Sequence, residues 1–413
     1  MKFLTKIITV ADKTQLYKQK VIKELYFQAP LSSAELCLKL NKSLPVTTKI
    51  LTELIERGQV TETGLAPSTG GRRPATFALR SDAHYVVAVA MDQFVTRIAI
   101  MDMQNAVVFG VEKFELRLPN NPMALQELTQ LIGQCILQSR ISKNQIIGIG
   151  IGMPGFIDVR KGLNYSFLPV SGSNITGFIS RELHLPTFID NDSGLIALAE
   201  LRFGAAKGRK NAMVLNIGWG IGLGMIVNGE LFHGHNGFAG EFSHIPLFSN
   251  GTLCSCGKRG CLETETSLLV IVNKAIQGLK DGRLSVLKAA QLEQFEQASE
   301  ALFNAVRGGD QFAIELLSDA GYHIGRGVAI LVHIMNPEVV VLSGRGAAAG
   351  KVWQAPIQQA LNEHCIPKLV GDTTIEFSTL GYQAELIGAV ALVMDHYDKI
   401  SSGITTAKES VIV

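Results

Sequence analysis

One stretch of the chain decides the fold, and it reads Ile146-Ile147-Gly148-Ile149-Gly150-Ile151-Gly152-Met153-Pro154-Gly155-Phe156-Ile157-Asp158. Its first eight residues are apolar or glycine, which predicts a buried strand over 146–153 that is interrupted by glycines. Further strand patterns occur on both sides of it, separated by helical patterns. Because strands that alternate with helices build layered domains, the sequence predicts an α/β fold.

The other elements of this body follow from the same periodicities. Upstream, strands are predicted over 85–91, 96–103 and 106–114, and an amphipathic helix over 123–139. Downstream, a strand over 187–190 leads into a helix over 193–202, and a second set of elements begins at 212–227. A long helix over 313–335 and a strand over 339–342 follow. The body therefore reads as two α/β lobes.

Composition limits the class of protein. The chain has 413 residues, of which 47% are apolar and 18% charged, so we expect two or three domains and no extended disorder. We find no apolar run of about 18 residues, and the N-terminus lacks the features of a secretory signal. Six cysteines in a chain of this size do not suggest an extracellular disulfide framework. We therefore expect a cytoplasmic protein without membrane insertion.

Charge is distributed unevenly along the chain. Residues 1–80 carry a net charge of +7, and residues 81–413 carry −5. A small basic head on a mildly acidic body suggests that the head meets a polyanion, although a solubilising surface would look the same.

The head has the pattern of a winged helix-turn-helix. One helix covers 18–27, and a second is capped by Ser32 or Ser33. A third begins near Pro45 and ends at Gly58, with an apolar stripe that includes Ile55. Two strands, over 59–63 and 75–79, then flank a loop that contains a pair of arginines. We predict that this domain binds double-stranded DNA; a small helical protein–protein module is the alternative.

The predicted DNA contacts lie in two places. The N-terminal end of the third helix enters the major groove in this motif, and it carries Thr47, Thr48 and Lys49. At the tip of the hairpin, Arg72 and Arg73 are placed to reach phosphates or the minor groove.

The strongest chemical signal is a cluster of metal-binding residue types. His244 is followed by Cys254, Cys256 and Cys261. Three thiolates and an imidazole match a closed tetrahedral zinc site, which leaves no open position for a catalytic water. We therefore predict one structural Zn²⁺ per chain; the alternative is ordinary buried thiols, as we expect for the other three cysteines.

Carboxylates and amides occur close to this cluster and at the end of the strand over 187–190. Such groups bind sugar hydroxyls because they offer paired hydrogen-bonding atoms. The residues are also explained as a helix cap (Asp192), a loop carboxylate (Glu241) and a first-turn charge (Glu263), so composition alone leaves sugar binding open.

At these positions the sequence resembles the ROK family of repressors, open reading frames and sugar kinases, over nearly the whole chain. The glycine-rich run over 148–158 resembles the family's sugar-lobe strand and turn. The runs Gly240-Glu241-Phe242-Ser243-His244 and Cys254-Ser255-Cys256-Gly257-Lys258-Arg259-Gly260-Cys261-Leu262-Glu263 resemble its zinc signature. The basic head with Ser68-Thr69-Gly70-Gly71-Arg72-Arg73-Pro74 is similar to the repressor branch, of the N-acetylglucosamine and xylose type.

The resemblance implies a two-lobed, actin-like ATPase fold behind the winged head. The expected domains are the head (1–80), lobe 1 (81–200), lobe 2 with the zinc loop and a C-terminal helix that returns to lobe 1 (201–398), and a mobile tail (399–413). The residues implied in sugar contact are Asn191, Asp192, Glu241, His244 and Glu263. His244 would serve both metal and sugar, and Asp192 stands where family kinases have their general base.

Both phosphate-binding loops depart from the kinase pattern. The first, usually Asp-x-Gly-Gly-Thr, reads Asp92-Gln93-Phe94-Val95-Thr96-Arg97, without glycine and with a bulky Phe. The second has Trp219 in place of a hydroxyl residue, and the later Gly-Gly reads Ser343-Gly344. Because phosphoryl transfer depends on positioning the phosphates, we expect no catalysis, and Asp192 is a vestigial base.

The sequence therefore predicts a sugar-responsive transcriptional regulator, expected to repress genes of carbohydrate uptake or catabolism. Its effector would be a sugar or sugar phosphate, and it would act as a homodimer or tetramer on an operator. A bifunctional sugar kinase that keeps a DNA-binding head is the alternative. A regulator controlled by another protein, such as a sugar-transport protein, is a third reading.

Overall fold

The computed structural model describes residues 10–66, 73–168 and 174–400 of the chain. Two predictions lie outside these residues, namely Arg72 and residues 401–413 of the expected tail. Residues 399–400, at the start of the expected tail, belong to a short helix. Among the described residues, no helix has both the length and the apolar character needed to cross a membrane.

The head contains three helices and a small antiparallel sheet of order β1-β3-β2. The first helix begins at Val10, eight residues before its predicted start. Ser32 caps the second helix, because its hydroxyl accepts from the Glu35 amide while the Glu35 carboxylate accepts from the Ser32 amide, which is a capping box. The elements are α1 (Val10–Gln28), β1 (Leu31–Ser32), α2 (Ser33–Leu40), α3 (Leu44–Glu56), β2 (Val60–Leu65) and β3 (Ala75–Leu79).

The first α/β unit has a five-stranded sheet of order β10-β7-β4-β5-β6. Strands β4, β5 and β6 pair antiparallel, and β7 and β10 join parallel on the side of β4. Its elements are β4 (Tyr85–Met91), β5 (Val95–Asp102), β6 (Val107–Glu115), α4 (Ala124–Ser139), β7 (Ile146–Met153), β8 (Ile157–Asp158), β9 (Leu163–Asn164), α5 (Ile175–Leu183), β10 (Thr187–Asn191) and α6 (Asp192–Phe203).

The second unit repeats this topology, with the order β13-β12-β11-β14-β15. An antiparallel meander is again followed by two parallel strands on the side of its first strand. Its elements are β11 (Ala212–Ile217), β12 (Ile221–Val227), β13 (Glu230–Leu231), α7 (Glu263–Thr266), α8 (Leu268–Lys280), α9 (Ala289–Leu292), α10 (Phe295–Arg307), α11 (Gln311–Met335), β14 (Val339–Ser343), α12 (Gln354–His364), α13 (Pro367–Asp372), β15 (Thr374–Phe377), α14 (Ala384–Asp395) and α15 (Tyr397–Ile400).

The glycines of β7 allow a helix to approach the sheet closely. Ile146, Ile149 and Ile151 of the strand are buried in the core of the first unit, whereas the glycines face α14. A Cβ on Gly150 would lie 2.0 Å from the carbonyl oxygen of Ala389, and one on Gly388 would lie 2.1 Å from that of Leu195 on α6. Helices α6 and α14 are therefore packed tightly on each other and on β7.

The same two helices end against the head. Phe203, the last residue of α6, packs edge-on to Tyr26, and Arg202 lies 4.7 Å above the ring of Phe27. Asp395, the last residue of α14, forms an ion pair with Lys23 of α1, with 3.4 Å between Asp395 Oδ1 and Lys23 Nζ. One continuous apolar core extends from the head into the body through these contacts.

Candidate functional site

A cavity of about 380 Å³ is lined by residues of both α/β units, which is a volume typical of small-molecule sites. All five residues that the resemblance implied in sugar contact line it, although they come from three separate segments of the chain: Asn191, Asp192, Glu241, His244 and Glu263.

The turn from β10 into α6 orients the first two of these residues. Asn191 is the N-cap of α6, since its side-chain oxygen accepts from the amides of Ser193 and Gly194. Its amide nitrogen donates to the carbonyl of Gly155 at 3.2 Å, so it also fixes the turn after β7. Asp192 is therefore not the cap. One of its oxygens accepts from Ser193, and the other accepts from Asn216 Nδ2 at 3.2 Å.

Burial changes the acidity of the carboxyls in this cavity. Desolvation raises the pKa of Asp192 to about 6, against hydrogen bonds from Ser193 and with repulsion from Asp92 and Glu263. Burial also raises the pKa of Glu241, although the positive charge of a protonated His244 opposes it. The cavity therefore holds carboxyls that gain or lose protons at higher pH than they would in water.

The four predicted metal ligands meet in one cluster. Their donor atoms all lie within 4.8 Å of one another. His244 Nδ1 is 3.5 Å from Cys254 Sγ, and Cys256 Sγ is 3.6 Å from Cys261 Sγ. A tetrahedron with Zn–S bonds of about 2.3 Å has edges of about 3.8 Å, so the donors are spaced to hold Zn²⁺.

The cluster connects the two loops that carry the other sugar candidates. His244 Nδ1 faces the cysteines while its Nε2 lies 3.7 Å from Glu241 Oε2, so one imidazole contacts both the metal cluster and the cavity. Cys261 leads directly into α7, whose first residue is Glu263. The Glu263 carboxylate accepts from the Ile221 amide at 3.1 Å. A metal here would therefore fix Glu241, His244 and Glu263 together.

An arginine lies beside the two loops that the resemblance assigns to nucleotide phosphates. Arg345 lies 3.7 Å from the Asp92 carboxylate and donates to Glu296 at 2.6 Å. Its guanidinium is 5.3 Å from the ring of Trp219, and Trp219 packs edge-on to Phe94. The two bulky residues that the sequence placed at the phosphate loops are thus in contact beside a buried, paired cation.

A second buried arginine supports this arrangement. Arg97 stacks on one side of Tyr382 at 3.5 Å, and Arg345 lies 4.2 Å from the same ring. Arg97 also pairs with Glu385, the second residue of α14, at 3.0 Å. Burial raises the pKa of Glu385 to about 8 in spite of this partner. The group of Asp92, Arg97, Glu296, Arg345, Tyr382 and Glu385, here called the arginine plug, joins both α/β units to the start of α14.

Of the three residues of α3 that were predicted to contact DNA, two are exposed and one is buried. Thr47 is fully buried, and its hydroxyl is hydrogen-bonded to Tyr17 at 2.7 Å and to Cys37. Its prediction as a DNA contact is therefore wrong, because this face of α3 packs against α1 and α2. Thr48 and Lys49 are exposed on the other face.

Two other details of the head can be compared with the sequence prediction. Arg73 is exposed at the base of the hairpin, where its guanidinium donates to the carbonyls of Ala66 and Leu65. Ile55, which was expected in the apolar stripe, is 41% exposed.

Several residues of the site were missed by the sequence analysis. Asn216 orients Asp192, and the buried Asp190 lies 4.0 Å from His233 Nε2 across the cavity. Both His233 and Arg345 had a visible signal, since the first lies in a His-Gly-His run and the second follows Ser343-Gly344 directly.

Comparisons with known proteins identify the family to which this chain is similar. Residues 95–396 match the ROK family. The xylose repressor of Bacillus subtilis is 29% identical over 397 residues, which cover 94% of this chain and 98% of the repressor. The DNA-binding transcriptional dual regulator NagC of Escherichia coli is 27% identical over 92% of each chain. A glucokinase of Halalkalibacterium halodurans is 33% identical over 63% of this chain and 80% of the kinase.

A solved structure extends the similarity to the fold of the whole chain. A ROK family transcriptional regulator, described as a homolog of the Escherichia coli MLC protein, superposes with a TM-score of 0.75 at 24% identity, covering 94% of this chain and 98% of the other. The head is included in that coverage, and the two-lobed body behind it is the predicted one. This chain, with its cysteine cluster and its duplicated α/β body, belongs to the ROK family.

Proposed function

We propose that this chain is a sugar-responsive, DNA-binding transcriptional repressor of carbohydrate uptake or catabolism genes. One observation carries the proposal: the polar cavity and the DNA-binding head are joined by the same two helices. Helix α6 begins at Asp192 in the cavity and ends at Phe203 on the head, and α14 runs from Glu385 to Asp395 in the same way. Each helix is about 18 Å long, at about 1.5 Å per residue.

The relatives support this assignment over the full length of the chain. Proteins named xylose repressor and N-acetylglucosamine repressor align with more than nine-tenths of it, including the head. The glucokinase relative aligns with 63% of it.

The proposed mechanism is a shift between two arrangements of the molecule. A sugar that bridges Asp192 on the first unit and Glu241 on the second favours the closed cavity. Closure displaces the cavity ends of α6 and α14, and their tight packing on β7 transmits the movement to α1. The sugar shifts the equilibrium by the difference between its affinities for the two arrangements, and no further.

Zinc would have a structural part in this mechanism. His244, Cys254, Cys256 and Cys261 would hold it, and it would supply a fixed cross-link with no open coordination position. That cross-link would keep Glu241, His244 and Glu263 in place for the sugar. Because ligands and metal stabilise the folded loop together, loss of the metal would loosen the sugar site.

The head would contact the operator through the exposed face of α3. Thr48 and Lys49 face solvent there, and Arg73 belongs to the hairpin that would reach phosphates. Arg72, which precedes Arg73 in the sequence, stays a predicted contact. Two heads in a homodimer, or in a tetramer, would read two half-sites about one helical turn apart. A sugar-transport protein as a second partner and a cytoplasmic location belong to the same proposal.

The second candidate is a sugar kinase that keeps a DNA-binding head. Asp192 favours it, since the carboxyl is in place in the cavity and has a pKa of about 6, within reach of a general base. The arginine plug argues against it, because Arg345 and Trp219 stand where a phosphate donor would lie.

A gel-shift titration tests the main proposal. The full chain is titrated on a duplex selected from random sequence by binding to it, with xylose, glucose, N-acetylglucosamine and their phosphates each present in turn. We expect at least one of these sugars to weaken DNA binding severalfold, and Glu241→Ala to remove that response while leaving DNA affinity unchanged. DNA affinity that no sugar alters would refute the proposal.

A further inference from the structure

The cavity has two chemically different ends. Its inner end carries the carboxyls and amides described above. Its outer edge carries three aromatic rings in contact, with Phe156 and Phe238 edge-on at 5.6 Å between ring centroids, and Phe238 and Tyr165 edge-on at 6.0 Å. Phe156 and Phe238 line the cavity, and we name the three rings the aromatic wall.

Two rings of the aromatic wall are exposed and Phe238 is half-buried, and the hairpin that carries Phe156 and Tyr165 is held by hydrogen bonds. Phe156 is 38% exposed and Tyr165 is 57% exposed. The Phe156 amide donates to Ser166 Oγ at 2.9 Å, and the hairpin of β8 and β9 is closed by Asn164, which bonds to Pro154 and to the amides that follow it. The rings therefore present a fixed apolar surface to solvent, next to a polar cavity.

Such a surface suits a sugar ring. One side of a pyranose consists of C–H bonds, and aromatic faces and edges bind apolar surfaces of that size. A ring hydrogen-bonded at the inner end, among Asp192, Glu241 and His244, is bound through its hydroxyls. A second ring attached to the first would lie over the aromatic wall.

The charged side chains that line the cavity disfavour a phosphorylated ligand and allow a neutral one. Six carboxyl side chains line the cavity, three of them sugar candidates: Asp92, Asp190, Asp192, Glu241, Glu263 and Glu385. Among the described lining residues, the guanidinium groups are those of Arg97 and Arg345, and each is already paired, with Glu385 and Glu296 respectively. A phosphate in this cavity would thus meet carboxylates and arginines that already have acidic partners.

We propose that the effector is an uncharged saccharide of at least two rings, with one ring at the carboxyl end of the cavity and the next stacked on the aromatic wall. The inference deepens the proposed function and rests on it. It assigns Phe156, Phe238 and Tyr165 as residues that select the length of the saccharide.

Isothermal titration calorimetry on the full chain tests the proposal. The ligands are xylose and xylobiose, glucose and cellobiose, and glucose 6-phosphate. We expect a disaccharide to bind at least tenfold more tightly than its own monosaccharide, and the sugar phosphate to bind more weakly than glucose.

The variants are Phe238→Ala and Phe238→Leu, with Tyr322→Ala as a matched loss of an aromatic ring on the surface of α11. Phe238→Ala should bring the affinity for the disaccharide down to that for the monosaccharide and leave the monosaccharide unchanged. Phe238→Leu, which keeps an apolar side chain, should retain part of the difference, and Tyr322→Ala all of it. Melting temperatures show whether each variant is folded.

The outcomes separate the inference from the function on which it rests. Equal affinity for the two saccharides of a pair, or tighter binding of the sugar phosphate, overturns the inference while sugar sensing survives. A Phe238-dependent preference for a disaccharide that leaves DNA binding untouched supports the inference about the ligand and overturns the proposed function.

Discussion

Asp192 contributes both to the chemistry of the cavity and to a helix that connects the cavity with the head. Its carboxyl faces the cavity, and its backbone begins α6. Burial and two neighbouring acids, Asp92 and Glu263, raise its pKa to about 6. Asp192 is therefore ionised at neutral pH and becomes protonated as the pH falls through about 6.

Sugar affinity should fall as the pH decreases through about 6. Above that value Asp192 is a charged acceptor for a sugar hydroxyl, and below it a weaker, neutral one, which is a difference of about 1 kcal/mol or about fivefold in Kd. Calorimetric titrations between pH 5 and pH 8 measure the effect. Asp192→Asn should bind more weakly and lose this step, and a step of unchanged size in Asp192→Asn would assign the titration to another group.

Cys256→Ser should remove the metal and destabilise the body. Structural zinc contributes to folding, so the loss of one thiolate should reduce the metal content towards zero and lower the melting temperature by several degrees. Metal content by mass spectrometry and thermal unfolding measure the two effects. Cys365→Ser, a buried cysteine outside the cluster, is the control for removal of a thiol. Full metal content in Cys256→Ser would contradict the ligand set.

The sequence predicted the residues of the cavity better than their partners. Glu241, His244 and Glu263 lie in short runs, so their types and spacing were visible together. Arg345 was missed because its partners come from positions 92, 296 and 382, which only the folded chain brings together.

At the scale of elements, α6 and α14 are the parts that connect ligand and DNA. The carboxyl of Asp395 at the end of α14 lies 3.4 Å from Lys23 and 3.5 Å from Arg202. The head is thus fastened to both helices at one point, beside the contact between Phe203 and Tyr26.

Asp395→Asn should uncouple the sugar from the DNA. Because the variant keeps its shape but loses a partly exposed ion pair of about 1 kcal/mol or less, we expect the effect of the sugar on DNA affinity to shrink by roughly threefold, with sugar affinity unchanged. Fluorescence anisotropy with labelled DNA, with and without sugar, measures this. Asp372→Asn, which removes a carboxylate from the end of α13, should behave as wild type. An equal response in both variants would show that α14 does not transmit the signal.

Lys49→Ala should weaken DNA binding at low salt. If Lys49 contacts a phosphate, the slope of log affinity against log salt should fall by about 1, because one fewer counterion is released. Anisotropy titrations between 50 and 200 mM salt measure the slope, with Lys280→Ala at the end of α8 as the control for loss of a surface lysine. An unaltered affinity would remove this face of α3 from the interface.

Helices and strands were predictable from the sequence where burial in one core sets their pattern. They were less predictable where the packing of a second helix or strand determines which residues are buried. The strand over 146–153 matches β7, because Ile146, Ile149, Ile151 and Met153 are buried in one core. The face of α3 was misjudged at Thr47, since its hydroxyl pattern looks the same whether it meets DNA or Tyr17. The reason for the glycines of β7 appears only once α14, more than 200 residues away in the sequence, lies against them.

For the whole molecule, the arginine plug is the group of side chains that connects the two α/β units to α14. It joins the first unit (Asp92, Arg97), the second (Arg345, Glu296) and the start of α14 (Glu385). Lys113 of β6 also reaches Glu296 at 2.5 Å, which adds an ion pair between the two units. The cleft between the two units is therefore bridged by ion pairs next to Asp92, in the loop that the resemblance assigns to phosphates.

The full chain should not bind a nonhydrolysable ATP analogue at millimolar concentration, with or without sugar. The expected reason is steric and electrostatic, since Trp219 lies in a loop that the resemblance assigns to phosphates and the adjacent Arg345 is already paired with Glu296. Calorimetry with Mg²⁺ and the analogue measures binding, and a coupled assay measures ATP turnover. Turnover with a hexose that Asp192→Asn abolishes would establish the kinase alternative.

The bridged cleft has a consequence for what the protein reports to the cell. A repressor of the proposed kind that does not phosphorylate its ligand would release it unaltered, so each occupied molecule would come to equilibrium with the pool of free saccharide around it. Gene expression would then follow the size of that pool and would be indifferent to the energy charge of the cell.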